Sequence, residues 1–303
     1  YSPIKGPAGN IEYLLYIEKN ENNLLDSFEL KNKINKGLIK KACKLADKAD
    51  VVVVFAGLDN VTEAEGIDRS NLLLPKGQLA LIDELLKLNK KIVVCLSCGS
   101  VVELPFAKKV NALLHCYLTG QAGAKAILNI LTGKVNPSGK LAETYVLKYE
   151  DTPSVKYFHA LENTAEYREG IFVGYRYFDK VNKPVLYPFG YGLSYTTFDQ
   201  ELKSITYKEE TDTFVAKINI KNTGNVDGRA SAQLYCQLPY TDYDKENLVE
   251  KSAIQLCGYN KVLVGAGKEV ETEIEFDRYF LASYDRLNKK QYILEDGEYY
   301  FSL

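Results

Sequence analysis

ADVVVVFAGLDNVTEAEGIDRSNLLLP, residues 49–75, decides how the rest of the chain is read. It opens with an unbroken apolar run from Val51 to Ala56. A strand buried on both faces of a parallel sheet carries such a run, because neither face meets water and the alternation of side chains disappears. Gly57 ends the run. A loop dense in acids follows, with Asp59, Glu63, Glu65 and Asp68, and Pro75 then opens an amphipathic helix. Open α/β sheets bind their ligands just past the carboxyl ends of their strands. The four carboxylates sit at that place, so any chemistry is expected in this loop.

The flanking segments extend the pattern. Leu38, Ile39, Ala42, Leu45 and Ala46 form a helical stripe that leads into the strand. Leu79, Ile82 and Leu86 form the next stripe. A strand from Ile92 to Leu96 and the loop SCGSVVELPFAKKV come next. Another apolar strand, Ala112 to Leu118, precedes GQAGAKAILNILTG, a helix with small residues at its start and Gly133 past its end. Alternating strands and helices imply a parallel sheet flanked by helices, an α/β sandwich. A dinucleotide fold would place GxGxxG after the first strand. Here only Gly57-Leu58-Asp59 stands there, followed by acids that repel phosphate, so a nucleotide-binding α/β domain is disfavoured.

Residues 134–196 lose the alternation. They are aromatic, Gly-rich and irregular, which suits a connector or a site-lining loop. From Thr197 the period becomes two. Phe214, Ala216, Ile218 and Ile220 alternate with Val215, Lys217, Asn219 and Lys221; Ala232, Leu234, Cys236 and Leu238 alternate with Gln233, Tyr235 and Gln237. Val270, Thr272, Ile274 and Phe276 alternate with Glu271, Glu273 and Glu275, and the last strand falls near Tyr299. Such strands indicate an all-β sandwich, the architecture that immunoglobulin and fibronectin type III-like domains share. No catalytic grouping stands in it, so it is read as a buttress. The expected domains are an uncertain leader at 1–34, an α/β domain with its connector at 35–196, and the β-sandwich at 197–303. In the leader, Ile11 to Ile17 reads as a short strand and KNENNLLDSFELKNK as a linker.

Composition narrows the function. With 303 residues and 46% hydrophobic content, the chain can build roughly two cored domains. A formal net charge of -2 gives no reason to expect nucleic acid or an anionic membrane as partner. No apolar run reaches the about 18 residues of a transmembrane helix. No signal peptide is visible, and a cytoplasmic location is expected, with secretion left open because a chain that starts at Tyr1 and contains no Met reads as a fragment. The 23 tyrosines would suit sugar contacts but fit a sandwich core better. Cys95 and Cys98 form a CxxC at the end of a buried strand; a zinc or redox role would need exposure or further ligands, and His115 and Cys116 lie in another apolar run. The thiols are therefore read as small buried residues. No metal or other cofactor is expected.

Several words, in order, resemble the C-terminal half of glycoside hydrolase family 3, above all its β-glucosidases. They are ADVVVVFAGL, EAEGIDR with LLLP, GSVVELPF, TGQAGAKAI, GKVNPSGKLAET, YREGIFVGYRYFD and YPFGYGLSYTTF, followed by a sandwich with KNTGNVDG. The resemblance spans about residues 40–303 and implies an α/β sandwich domain followed by a fibronectin type III-like domain. SPIKGPAGNIEYLLY, near the start, looks instead like the tail of haemolysin-type ribosomal RNA methyltransferases, and it carries no chemistry.

The family resemblance implies a retaining mechanism with two carboxylates on different domains. A barrel domain carries the nucleophilic Asp, and the α/β domain carries the general acid/base in a motif similar to EGIDR, which maps onto Glu65. Retention needs the two carboxyl groups about 5–5.5 Å apart, with the acid protonated at the start. Repulsion from Asp59, Glu63 and Asp68, with desolvation by a neighbouring domain, would favour that protonated form. Asp68 and Arg69 are expected to pair and shape the loop. The chain departs from the family pattern at Ile67, where an aromatic residue is usual, at Phe106, where Trp is usual, and at Leu104, where Met is common. The barrel and the first half of the α/β domain have no counterpart here. Some relatives place the sandwich first and the barrel last, and the chain reads as the front of such an arrangement. The resemblance thus implies hydrolysis of terminal β-glucosyl units from a β-glucoside or short oligosaccharide, with this chain inactive without the barrel partner. A non-catalytic carbohydrate-binding or scaffolding fragment is the alternative.

Overall fold

A computed structural model of the chain describes 27–158 and 164–303, with the backbone alone for 27–34. It also describes two short strands, β1 (Ile4–Lys5) and β2 (Ile11–Glu12), which pair antiparallel. The strand expected from Ile11 to Ile17 therefore starts at β2, and its remainder lies outside the described residues. Contacts divide the chain into two compact units, Tyr1–Leu131 and Thr132–Leu303.

The first unit begins with helix α1 (Ser27–Ala46), which starts inside the stretch read as a linker. Lys, Leu and Glu are good helix formers, so the polar composition of SFELKNK did not exclude a helix. Ala46 is buried, and Ile39, Ala42 and Cys43 are half-buried on the same face; Leu38 and Leu45 of the expected stripe are exposed. The chain then runs β3 (Val51–Gly57), α2 (Lys76–Leu85), β4 (Lys91–Ser97), β5 (Ala112–His115) and α3 (Gly123–Leu131). α2 lies against α1 and buries Ile82 and Leu85, each worth about 1.5–3 kcal/mol in water-to-core transfer. Gly133, with φ +70°, follows α3 as a helix-ending glycine does.

The sheet is parallel in the order β3-β4-β5, with Val54 opposite Val94 and Leu96 opposite His115. β4 is central, and its Ile92, Val94, Cys95 and Leu96 are fully covered. β3 behaves differently from the expectation of burial on two faces. Val54 and Ala56 are buried, but Val51, Val53 and Phe55 are 46%, 42% and 55% exposed. Among the described residues β3 is an edge strand, and only one of its faces has a covering layer.

The second unit contains the connector and the β-sandwich. β6 (Phe198–Lys208), β7 (Thr213–Asn222) and β10 (Glu269–Asp277) form one antiparallel sheet, ordered β10-β7-β6. β8 (Gly228–Gln237), β9 (Gln255–Val264) and β13 (Tyr300–Ser302) form the other, ordered β13-β8-β9. A small hairpin pairs β11 (Ser283–Asp285) with β12 (Gln291–Ile293). Ala216, Ile218 and Ile220 meet Ala230, Ala232, Leu234 and Cys236 in the core, as their period of two requires. Helix α5 (Asp242–Asn247) is tied in by the buried Lys251 ammonium, which donates to Asp244 Oδ2 at 2.7 Å, to the Pro239 carbonyl at 2.8 Å and to Glu295.

The connector packs on this sandwich. Tyr145 is buried, and its amide donates to the Tyr187 carbonyl at 2.9 Å. Gln233 of β8 donates to the Gly190 carbonyl at 3.0 Å. Tyr175, on the short helix α4 (Tyr175–Lys180), accepts from the Leu256 amide at 2.9 Å. Cys95, Cys98, Cys236 and Cys257 are buried, and all six thiols are free. Among the described residues no helix is long and apolar enough to cross a membrane.

Candidate active site

The three parallel strands deliver their following loops to one rim of the sheet. The loop after β3 is anchored at its root. The Gln78 side chain, from the first turn of α2, accepts from the Gly57 amide and donates to the Gly57 carbonyl, both at 2.9 Å. Gly57 must be glycine, since a Cβ there would lie 1.9 Å from the Ser97 carbonyl oxygen of β4. The loop therefore leaves the sheet in close backbone contact with β4, and the Leu58 amide donates to the same Ser97 oxygen at 3.0 Å.

The four loop acids have different situations. Asp59 makes a turn: its Oδ1 accepts from the Thr62 hydroxyl at 2.7 Å and the Thr62 amide at 2.9 Å. The hydroxyl contact, reinforced by backbone amides, holds Asp59 below the usual carboxylate range. Glu63 crosses to the loop after β4, where its Oε2 accepts from the Gly99 amide at 2.8 Å and its Oε1 from the Ser100 hydroxyl at 3.1 Å. Asp68 is exposed.

Glu65 stands at the tip of a tight turn closed by an Ala64–Ile67 bridge, in which the Ile67 amide donates to the Ala64 carbonyl at 3.1 Å. It is exposed, and among the described residues its side chain has no hydrogen-bond or ion-pair partner. Beyond the turn, Arg69 Nη1 donates to Ser100 Oγ at 2.9 Å and to the Val101 carbonyl at 3.2 Å. Of the three departures from the family pattern, Phe106 and Leu104 are core residues, 2% and 5% exposed. Ile67 is exposed, two residues from Glu65.

The same rim holds residues that the loop's own sequence did not point to. Gly99 and Ser100 are the partners of Glu63, and both lie in the GSVVELPF word. Past β5, Tyr117 has φ +53°, a left-handed conformation that costs a bulky residue energy and tends to collect at functional rims. Its ring packs edge-on against His115 at 3.8 Å between centroids. Burial pushes the His115 imidazole down to about 4, with the Glu63 charge opposing the shift, so the ring is neutral at pH 7. The signal that would have found these groups is positional: they too follow the carboxyl ends of parallel strands.

An exposed carboxyl group at the tip of an anchored turn can exchange protons with a molecule brought to it. Known proteins share the fold on which this turn stands. The model of the glycosyl hydrolase family 3 C-terminal domain matches residues 10–195, and that of the fibronectin type III-like domain matches 230–303. From residue 10 onward, the leader thus goes with the rest of the chain rather than with a methyltransferase tail. The family match runs through the connector, which packs within the unit Thr132–Leu303.

Similar proteins include the thermostable beta-glucosidase B of Acetivibrio thermocellus, 37% identical over 302 residues, 99% of this chain and 38% of that protein. The exo-alpha-(1->6)-L-arabinopyranosidase of Bifidobacterium longum is 36% identical over 86% of this chain and 34% of its own length. Among solved structures, the GH3 beta-glucosidase of Bifidobacterium adolescentis superposes with a TM-score of 0.81 at 36% identity, over 88% of this chain and 38% of that one. The beta-glucosidase of Kluyveromyces marxianus in complex with glucose gives 0.82 at 32% identity, over 88% and 31%. The chain spans between about a third and two fifths of the length of these relatives. Its two domains, its parallel sheet and these matches together show that the chain belongs to glycosyl hydrolase family 3, carrying that family's C-terminal domain and a fibronectin type III-like domain.

Proposed function

We propose that this chain supplies the acid/base half of a retaining β-glucosidase site, with Glu65 as the group that moves the proton. The observation that carries the reading is the state of Glu65: a carboxyl group exposed at the tip of a turn, without a partner among the described residues, beside three acids with other surroundings. In the first step Glu65 donates its proton to the glycosidic oxygen. An Asp on a separate barrel domain attacks the anomeric carbon, the bond to the leaving oxygen breaks, and a glycosyl–Asp ester forms. In the second step Glu65 takes a proton from water, the water oxygen attacks the anomeric carbon, and the sugar leaves with Asp restored. Asp59 is committed to its turn and Glu63 to Gly99 and Ser100, which leaves Glu65 the better placed of the three.

The substrate proposed is a terminal β-glucoside or short oligosaccharide, in line with the names of most of the relatives. The arabinopyranosidase among them shows that the same framework accompanies a second sugar name, and the gripping subsite is assigned to the barrel. The test is hydrolysis of p-nitrophenyl β-glucoside by the chain alone, and by the chain mixed with a separately expressed barrel domain from a family member. Activity is expected only in the mixture, and Glu65→Gln should lower it by about 10²-fold or more. Turnover by the chain alone that disappears when one of its own carboxylates is replaced would overturn the split site. A mixture indifferent to Glu65→Gln would point to a sugar-binding or scaffolding fragment instead.

A further inference from the structure

We infer that Glu63, Ser100 and Arg69 form a clamp that sets the position of Glu65, with the Ser100 hydroxyl as the shared node. The turn bearing Glu65 is pinned on both flanks to one short segment after β4. On the near side, Glu63 accepts from the Gly99 amide (2.8 Å) and the Ser100 hydroxyl (3.1 Å). On the far side, Arg69 Nη1 donates to that same Ser100 oxygen (2.9 Å) and to the Val101 carbonyl (3.2 Å). Ser100 thus donates to one flank and accepts from the other. The Glu63 carboxylate and the Arg69 guanidinium flank the hydroxyl, so each of these hydrogen bonds has a charged partner, the stronger kind.

Of the five residues between the pins, the Ala64–Ile67 bridge closes four, 64–67, into a single turn. The tip consequently moves only with the segment 99–101. That segment follows β4, the best-buried strand of the sheet, whose Ile92, Val94, Cys95 and Leu96 are fully covered. Glu65 is thereby referenced to the rigid centre of the sheet rather than to the edge strand β3 from which its loop departs. A carboxyl group displaced by about 1 Å can lose about 10²-fold in rate, so such a reference frame has a use only if Glu65 must meet a reacting atom. The purpose of the clamp rests on the acid/base reading of Glu65; its geometry does not. Glu63, Ser100 and Arg69 touch no substrate in this scheme and act as positioning residues.

The experiment has two arms, each run on Ser100→Ala, Ser100→Thr, Glu63→Ala and Glu63→Gln. The first is amide hydrogen exchange on the chain alone. The alanine variants should speed exchange at 64–69 by about 10-fold or more while β4 amides keep their protection. Threonine keeps the hydroxyl and should restore it; glutamine keeps one of the two acceptor oxygens of Glu63 and should restore it in part.

The second arm uses the chain mixed with the nucleophile-bearing barrel domain, comparing cellobiose with dinitrophenyl β-glucoside. Dinitrophenolate leaves without being protonated, so kcat/KM for that substrate should stay within about 2-fold, while kcat/KM for cellobiose falls about 10- to 100-fold in the alanine variants. Unchanged exchange at 64–69 overturns the clamp. Equal losses on both substrates overturn the positioning role, since a general loss of structure would act on both. An unmutated mixture inactive on either substrate, with the exchange pattern as expected, overturns the acid/base reading and the positioning role together while leaving the clamp's geometry established.

Discussion

At the scale of single residues, the acidic loop shows how hydrogen bonding sorts side chains of one kind. Glu63 and Glu65 are two positions apart, yet one carries two hydrogen bonds to the next loop and the other is exposed without a partner among the described residues. His115 allows a prediction in the same neighbourhood. Its imidazole has an ordinary value near 6.5 and is pushed down to about 4 by burial. Above 6.5 the ring is neutral in both folded and unfolded chain, so the shift costs nothing. Between 6.5 and 4 the unfolded chain binds a proton that the folded chain refuses, and stability falls as the pH falls; below 4 both forms carry it and the loss levels off. At about 1.36 kcal/mol per unit the whole shift is worth about 3 kcal/mol, and the partial exposure of the ring reduces the expected loss to about 2 kcal/mol. Urea midpoints at pH 7, 5.5 and 4 should show this extra slope in the native chain and not in His115→Gln. Parallel slopes would refute it.

At the scale of elements, β3 combines a buried face with an uncovered one. Among the described residues β3 is a seven-residue edge strand with no charge, proline or bulge, and Val51, Val53 and Phe55 line its open face. Natural edge strands usually carry one of these devices, since an apolar edge recruits other strands. The chain alone should therefore self-associate as its concentration rises, and Val53→Lys, which places a charge in the middle of the face, should suppress this. Light scattering across a dilution series checks it, and equal association of the two proteins would count against the open face as the cause. α1 teaches the opposite lesson. Its first turns read as linker because polar composition and helix propensity are independent properties of a segment.

At the scale of the whole molecule, the connector belongs with the β-sandwich in one compact unit. Tyr175 accepts from the Leu256 amide and stacks on Phe189 with centroids 4.9 Å apart, and Gln233 holds the Gly190 carbonyl. A piece spanning 132–303 should therefore fold and melt cooperatively. A piece spanning 197–303 should melt lower, by at least about 5 °C, because about 1 kcal/mol moves the midpoint of a domain this size by that much and the two part-buried hydrogen bonds from the connector are lost. Calorimetry on the two pieces decides. If the shorter piece is as stable as the longer, the connector contributes nothing to the sandwich.

Much of this was legible in the chain itself. The alternation of strand and helix, the change to a period of two after Thr197 and the loop carrying Glu65 are all encoded among neighbours in sequence, because side-chain period and turn chemistry are local. The ordered family words placed the chain in its family for the same reason. Three things were decided only in the folded state. One was that Glu63 is held while Glu65 stands exposed without a described partner, since the groups that bind Glu63 lie 36 and 37 residues away and arrive through the register of β3 on β4. Another was the uncovered face of β3, which depends on which layers pack beside it and not on its own apolar run. The last was the packing of the connector on the sandwich. A residue's neighbours along the chain determine which element it joins; which groups it meets across space is determined by how the elements are stacked.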